Sequence, residues 1–168
     1  MFNVGDTVLY GSNGVCRIIG IEDKCVEGIT RHYYVLRPEF DSDSTIHYLP
    51  TDNEKAVGKL KRVLSAEEIT KLIQSMPTFE ADWIADDKTR RASYKEILAK
   101  GDRVELIRMI KSLYARQQTQ QEKKLKFSPT DEKFMRDAEK RLYEEFAHVM
   151  NIEPDQVMDF IAKQIAGG

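Results

Sequence analysis

In the stretch Arg62-Val-Leu-Ser-Ala-Glu-Glu-Ile-Thr-Lys-Leu-Ile73 the hydrophobic period of the chain changes. Ahead of Ser65, apolar and β-branched residues alternate in short runs; beyond it they recur at i, i+3, i+4 and i+7, the spacing of one helix face. Ser65 and Glu68 have the S-x-x-E spacing of a capping box, in which each side chain satisfies a backbone N–H that the first helical turn leaves unpaired. The boundary predicts an α+β protein of two domains. A β domain is expected over 1–63 and an all-α domain over 65–168, with 56–64 as a short connection.

Working back from the boundary, strands are expected over 4–10, 15–21, 32–37 and 45–49, each rich in Val, Ile, Leu or Tyr. Gly11-Ser-Asn-Gly14 and Glu27-Gly28 supply the positive φ angles of tight hairpin turns, and Asp41-Ser-Asp-Ser44 reads as a polar loop. Four or five short antiparallel strands in so few residues suggest a small SH3-like or Tudor-like β-barrel. Working forward, helices are expected over 65–76, 80–100, 102–125, 129–150 and 154–165. Asp102 with Glu105 repeats the capping logic, and Ser128-Pro129 puts a cap before a proline at the first helical position. Leu106, Ile107, Ile110, Leu113 and Tyr114 form one apolar stripe, and Phe134, Ala138, Leu142, Phe146 and Val149 another.

Composition narrows the class. Of 168 residues, 41% are hydrophobic and 32% charged, a balance that excludes disordered and fibrous chains. No apolar run approaches the 20 or so residues of a spanning helix, so no membrane is expected. The opening MFNVGDTVLY lacks the blocks of a signal peptide, so a cytoplasmic location is expected. Cys16 and Cys25 are too few for a metal cage and too far apart for a CxxC pair, and read as buried reduced thiols.

The net charge of −2 hides a segregation. Segment 64–87 has one base against six acids, 88–126 has twelve bases against four acids, and 127–168 returns to five against nine. A band at +8 between flanks at −5 and −4 is a plausible footprint for a phosphate backbone, because each Lys or Arg contact there releases condensed counterions. Solvated helices also carry such bases for solubility alone.

Trp83, the only tryptophan, stands in acidic sequence just before this band. A helix running unbroken from residue 80 would put it near Tyr94, Ile97 and Leu98, in the core. If the helix starts later, Trp83 lies at its exposed beginning, a flat surface for stacking on an unpaired base. No catalytic chemistry is visible. His32, His47 and His148 have no metal-ligand spacing and no paired nucleophile, no phosphate-binding loop or nucleophile elbow is present, and no cofactor or metal is expected. Tyr10, Tyr33, Tyr34 and Tyr48 could form an aromatic cage, but strand tyrosines at this spacing belong more often to core and rim.

Phe2-x-Val-Gly-Asp-x-Val-x-Tyr10, then Gly14-Val, Ile18, Ile21-Glu22, Gly28, Tyr33-Tyr34-Val-Leu36 and Leu49-Pro50, resembles the RNA-polymerase-interacting module shared by CarD-like regulators and transcription-repair coupling factors. The helical half resembles the CarD-type C-terminal domain in its tryptophan, its basic stretch and its Leu98-Ala-Lys-Gly-Asp102 break. The resemblance implies a bacterial, non-enzymatic, monomeric transcription regulator without a small-molecule substrate. Its barrel would dock on the RNA polymerase β subunit, and its helical domain would hold promoter DNA, ribosomal RNA promoters included, at the upstream edge of the bubble, stabilising the open complex. It further implies that Trp83 is a wedge at the bubble edge, that Lys88, Arg90, Arg91 and Lys95 contact phosphates, and that Lys24 and His47 face the polymerase. Ile84-Ala-Asp-Asp87 departs from the family pattern by lengthening the gap between tryptophan and first base. A different reading is a polymerase-binding adaptor whose helices recruit another protein; a hydrolase is remote.

Overall fold

The computed structural model describes residues 2–40 and 45–167; the expected polar loop Asp41-Ser-Asp-Ser44 lies outside the described residues. The chain divides into two compact units, Met1–Leu64 and Ser65–Gly168. The first holds an antiparallel, Tudor-like sheet and the second is helical, the α+β layout that the change of period implies.

The sheet is built from β1 (Thr7–Tyr10), β2 (Val15–Val26), β3 (Ile29–Pro38), β4 (His47–Pro50) and β5 (Leu60–Arg62), in the order β4-β3-β2-β1-β5, with a one-turn helix α1 (Glu54–Val57) before the last strand. β2 and β3 run longer than expected, because Val26 pairs with Ile29 across a two-residue turn. Glu27 at φ 52° and Gly28 at φ 78° give both central residues the left-handed backbone whose twist matches that of the strands. A bulge between Ile18 and Gly20 bends β2 and marks where the hairpin leaves the core. Val8, Cys16, Ile18, Tyr34, Leu36, Leu49 and Leu60 form that core, with Phe2 and Tyr10 against it.

Two expectations fail here. Leu60–Arg62, expected as connection, is a strand paired with β1, Tyr10 opposite Leu60. Three residues show no alternation, and the pairing joins segments fifty residues apart, so no local signal marks it. Cys25 is exposed, not buried, because it stands on the part of the hairpin that projects beyond the core; Cys16 is buried as expected.

The helical unit comprises α2 (Ala66–Ser75), α3 (Asp87–Lys100), α4 (Arg103–Glu122), α5 (Pro129–Met150) and α6 (Val157–Gly167), the last preceded by a 3-10 turn at Pro154–Gln156. Both halves of the capping box form: the Glu68 N–H donates to Ser65 Oγ at 3.1 Å, and the Ser65 N–H donates to Glu68 Oε1 at 3.2 Å. Asp102 and Ser128 cap α4 and α5 as expected. From the two apolar stripes Leu106, Ile107, Leu113, Ala138, Leu142 and Phe146 are buried, while Tyr114 is 52% exposed. The expected helix over 80–100 begins only at Asp87, and residues 79–86 are irregular chain. Among the described residues no helix is long and apolar enough to cross a membrane.

The break between α3 and α4 depends on Gly101, whose φ of 68° is left-handed and where a Cβ would stand 2.4 Å from Arg141 Nη2. The same guanidinium donates through Nη1 to the carbonyl of Leu98 at the end of α3. Gly101→Ala therefore combines backbone strain with displacement of a half-buried arginine, and is expected to destabilise the helical unit by about 1–3 kcal/mol. Thermal unfolding of the full chain followed by circular dichroism at the helical band checks it.

Candidate nucleic-acid interface

Helix α3 sorts its bases by period. Lys88, Arg91 and Lys95, at i, i+3 and i+7, fall within about 60° of arc and are exposed, whereas Arg90 shares the opposite face with Tyr94 and Ile97. Asp86 starts this helix by accepting from the Thr89 N–H at 2.9 Å and the Thr89 hydroxyl at 2.6 Å, and those hydrogen bonds hold its carboxyl below the usual range.

Arg90 corrects the expectation that it contacts phosphate. It is 5% exposed, and its guanidinium is spent inside the protein. Nε and Nη2 donate to the two carboxylate oxygens of Asp131, each at 3.1 Å; Nη2 also reaches Asp87 Oδ1 at 2.7 Å, and Nη1 donates to the Ile84 carbonyl at 2.9 Å. Burial alone would lower its pKa, but Asp131 and Asp87 outweigh burial and raise it. The signal was in the sequence: Arg90 alone of the four stands at i, i+4 and i+7 with both Tyr94 and Ile97.

Trp83 lies in the irregular segment 79–86, which other elements hold by its backbone. Lys111 Nζ donates to the carbonyls of Met76 and Phe79, Ser112 Oγ to that of Asp82, and Arg90 to that of Ile84. These tertiary hydrogen bonds replace those a helix would have made, which is why the periodicity of 80–86 does not prevail. The indole is half-buried. It packs against the cluster of Tyr94, Leu106, Met109, Leu113, Met135 and Ala138, with part of the ring left open. Burial pushes the Tyr94 phenol up, and the Ser112 hydroxyl beside it works in the opposite direction.

Two guanidinium groups lie over the indole, Arg90 with Cζ 4.4 Å from the ring centroid and Arg116 with Cζ at 5.2 Å. Beside it opens a cleft of about 300 Å³ whose lining includes Trp83, Arg116, Gln120, Lys126, Phe127 and Ser128. Arg116 and Lys126 belong to the basic band but were not singled out, because only the packing of α4 against the chain after it brings them to the tryptophan. Other members of the band are structural: Arg103 makes a two-pronged ion pair with buried Glu145 at 2.7 and 2.6 Å, and Lys111 holds segment 79–86.

Lys24 and His47, expected to face one partner, are not brought together. Lys24 Nζ lies 3.2 Å from the ring centroid of Tyr48, whereas His47 packs edge-on against Tyr10 at 5.7 Å. Successive residues of a strand point to opposite faces, so the Tyr48 contact and the His47 contact belong to different sides of β4. No group of His, Cys, Asp and Glu suited to a metal occurs among the described residues.

Because only part of the indole is buried, Trp83→Ala is expected to cost about 1–3 kcal/mol, less than the roughly 3–5 kcal/mol of a fully buried tryptophan. Urea unfolding followed by circular dichroism measures this; a cost near zero would mean that the ring contributes nothing to packing.

Family models match both halves of the chain: the CarD-like/TRCF RID domain at residues 2–63 and the CarD C-terminal domain at residues 69–162. The second covers more than half of the chain by itself, and the chain belongs to the CarD family of RNA-polymerase-interacting transcription regulators.

Proposed function

We propose that the protein stabilises the open promoter complex by binding the polymerase β subunit through residues 1–63 and the upstream edge of the bubble through residues 65–168. The family is non-enzymatic, and the mechanism needs no chemistry. A ligand that binds the open complex better than the closed one shifts their equilibrium by its difference in affinity. The observation that carries this reading is the half-exposed indole of Trp83 at the approach to α3, next to Arg116 and Lys126 and followed by the exposed row Lys88, Arg91 and Lys95. A planar apolar ring stacks on any base, since every base has a π-face, and the row of cations reads phosphates without regard to sequence. Lys24 and His47, on their separate faces of the sheet, make independent contributions to polymerase binding.

A second reading, an adaptor whose helical unit recruits another protein, has one observation in its favour: an apolar groove of about 390 Å³ between α4, α5, α6 and the turn that follows α2, lined by Met76, Ile110, Tyr114, Tyr143 and Met158. Promoter opening that is indifferent to Trp83→Ala would favour it.

Three outcomes follow from the main reading. Residues 1–63 are expected to retain a fragment of the β subunit in a pull-down; retention that required 65–168 would end the division of labour. The affinity of the full chain for duplex DNA is expected to fall with salt at a log–log slope of roughly −3, about −0.9 for each of Lys88, Arg91 and Lys95. Replacing these three by Gln should bring the slope toward zero, while Arg90, being buried, contributes nothing to it. Trp83→Ala is expected to shorten the life of the open complex about five- to a hundred-fold, from the loss of one stacking contact worth about 1–3 kcal/mol. A competitor challenge on polymerase at a ribosomal promoter, with chain at saturation, measures it.

A further inference from the structure

We infer that Arg90 and Asp131 form a latch that seats Trp83, making both of them positioning residues that act on promoter DNA only through the indole; this rests on the reading of Trp83 as the bubble-edge contact. A buried ion pair adds little net stability, because desolvating two charges offsets their attraction, and packed apolar side chains would serve a core equally well. What the pair provides here is geometry. The planar fork of Arg90 joins three separate pieces of chain: Asp87 at the start of α3, Asp131 in the first turn of α5, and the carbonyl of Ile84, the residue directly after Trp83.

Of the three side chains that hold the irregular segment by its carbonyls, Lys111 and Ser112 act before Trp83, on Met76, Phe79 and Asp82, and Arg90 acts after it. Arg90 is also the one of the three that lies over the indole itself. Asp131 sets the plane of the guanidinium by accepting from two of its nitrogens, and is itself 3% exposed at the foot of α5, where the helix dipole favours its charge. Lysine at position 90 could keep the charge beside Asp131 but could not bridge Asp131, Asp87 and the Ile84 carbonyl while lying flat over the ring. The latch thus orders, before DNA arrives, a segment that has no secondary structure to order it, and binding spends less on immobilising the wedge.

The test uses the full chain with Arg90→Lys and Asp131→Asn, each alone and combined with Trp83→Ala. Trp83 is the only tryptophan, so its emission and its quenching by acrylamide report the seat of the ring directly. The expected result is that either single variant moves the emission and raises the quenching, and shortens the open-complex lifetime at saturating chain on the order of ten-fold. Added to Trp83→Ala, neither should shorten the lifetime further. If emission and quenching stay at their original values, if the lifetime is unchanged at saturation although melting falls, or if the effects add to that of Trp83→Ala, the latch is overturned. Arg90→Lys retains a cation against Asp131, so should Asp131→Asn fail to fold it decides alone. A lifetime indifferent to Trp83→Ala would overturn the premise instead, and a change of emission in Arg90→Lys would separate that failure from a failure of the latch.

Discussion

The helical unit depends on carboxylates of α5 that receive arginines from the helices packed on it. Asp131 takes Arg90 of α3 in its first turn, and Glu145 takes Arg103 of α4 three to four turns later. Both carboxylates are buried and both pairs are two-pronged, so each fixes an orientation as well as a distance. An unpaired charge at either site would be left in a medium of low dielectric, which makes the alternatives to this arrangement costly. The Leu98–Arg141 hydrogen bond and the left-handed Gly101 close the same framework at the α3–α4 turn. Helices held at these points leave the chain between α2 and α3 to be positioned by side chains alone.

That requirement divides the basic band into two populations. Arg90, Arg103 and Lys111 point inward and hold carboxylates or carbonyls, while Lys88, Arg91 and Lys95 point outward along one face of α3. Arg116 and Lys126 occupy an intermediate place beside the indole. A tally of charge counts all of these alike, so the +8 of residues 88–126 overstates what is offered to a phosphate backbone. The surviving surface has a simple logic. A half-exposed aromatic plane is followed along the chain by a row of exposed cations on one face of α3, and the proposed reading rests on that surface.

The sheet unit separates its roles in a comparable way. Its core reaches just past the Ile18–Gly20 bulge, to Tyr34 opposite Ile21, and the hairpin presents Ile21, Val26 and Ile29 to solvent, together with Cys25. Lys24 lies over Tyr48 on that surface and His47 against Tyr10, so the two are distributed by the pleat and not gathered into one patch.

Much of this was legible locally. The change of period at Ser65, the caps at Ser65, Asp102 and Ser128, the Glu27-Gly28 turn and the segregation of charge were readable because each rests on interactions within a few residues or on a repeating face. The family resemblance, too, was carried by short motifs. What could not be read locally was decided by partners distant in sequence. Leu60–Arg62 became a strand because β1 had an edge to pair, and residues 80–86 left the helix where Ser112 and Arg90 took the carbonyls of Asp82 and Ile84 and Lys111 took that of Phe79 just ahead of them. Arg90 is the instructive case. Its helical register already placed it with Tyr94 and Ile97, but only the arrival of Asp131, forty-one residues on, made burying a guanidinium tolerable.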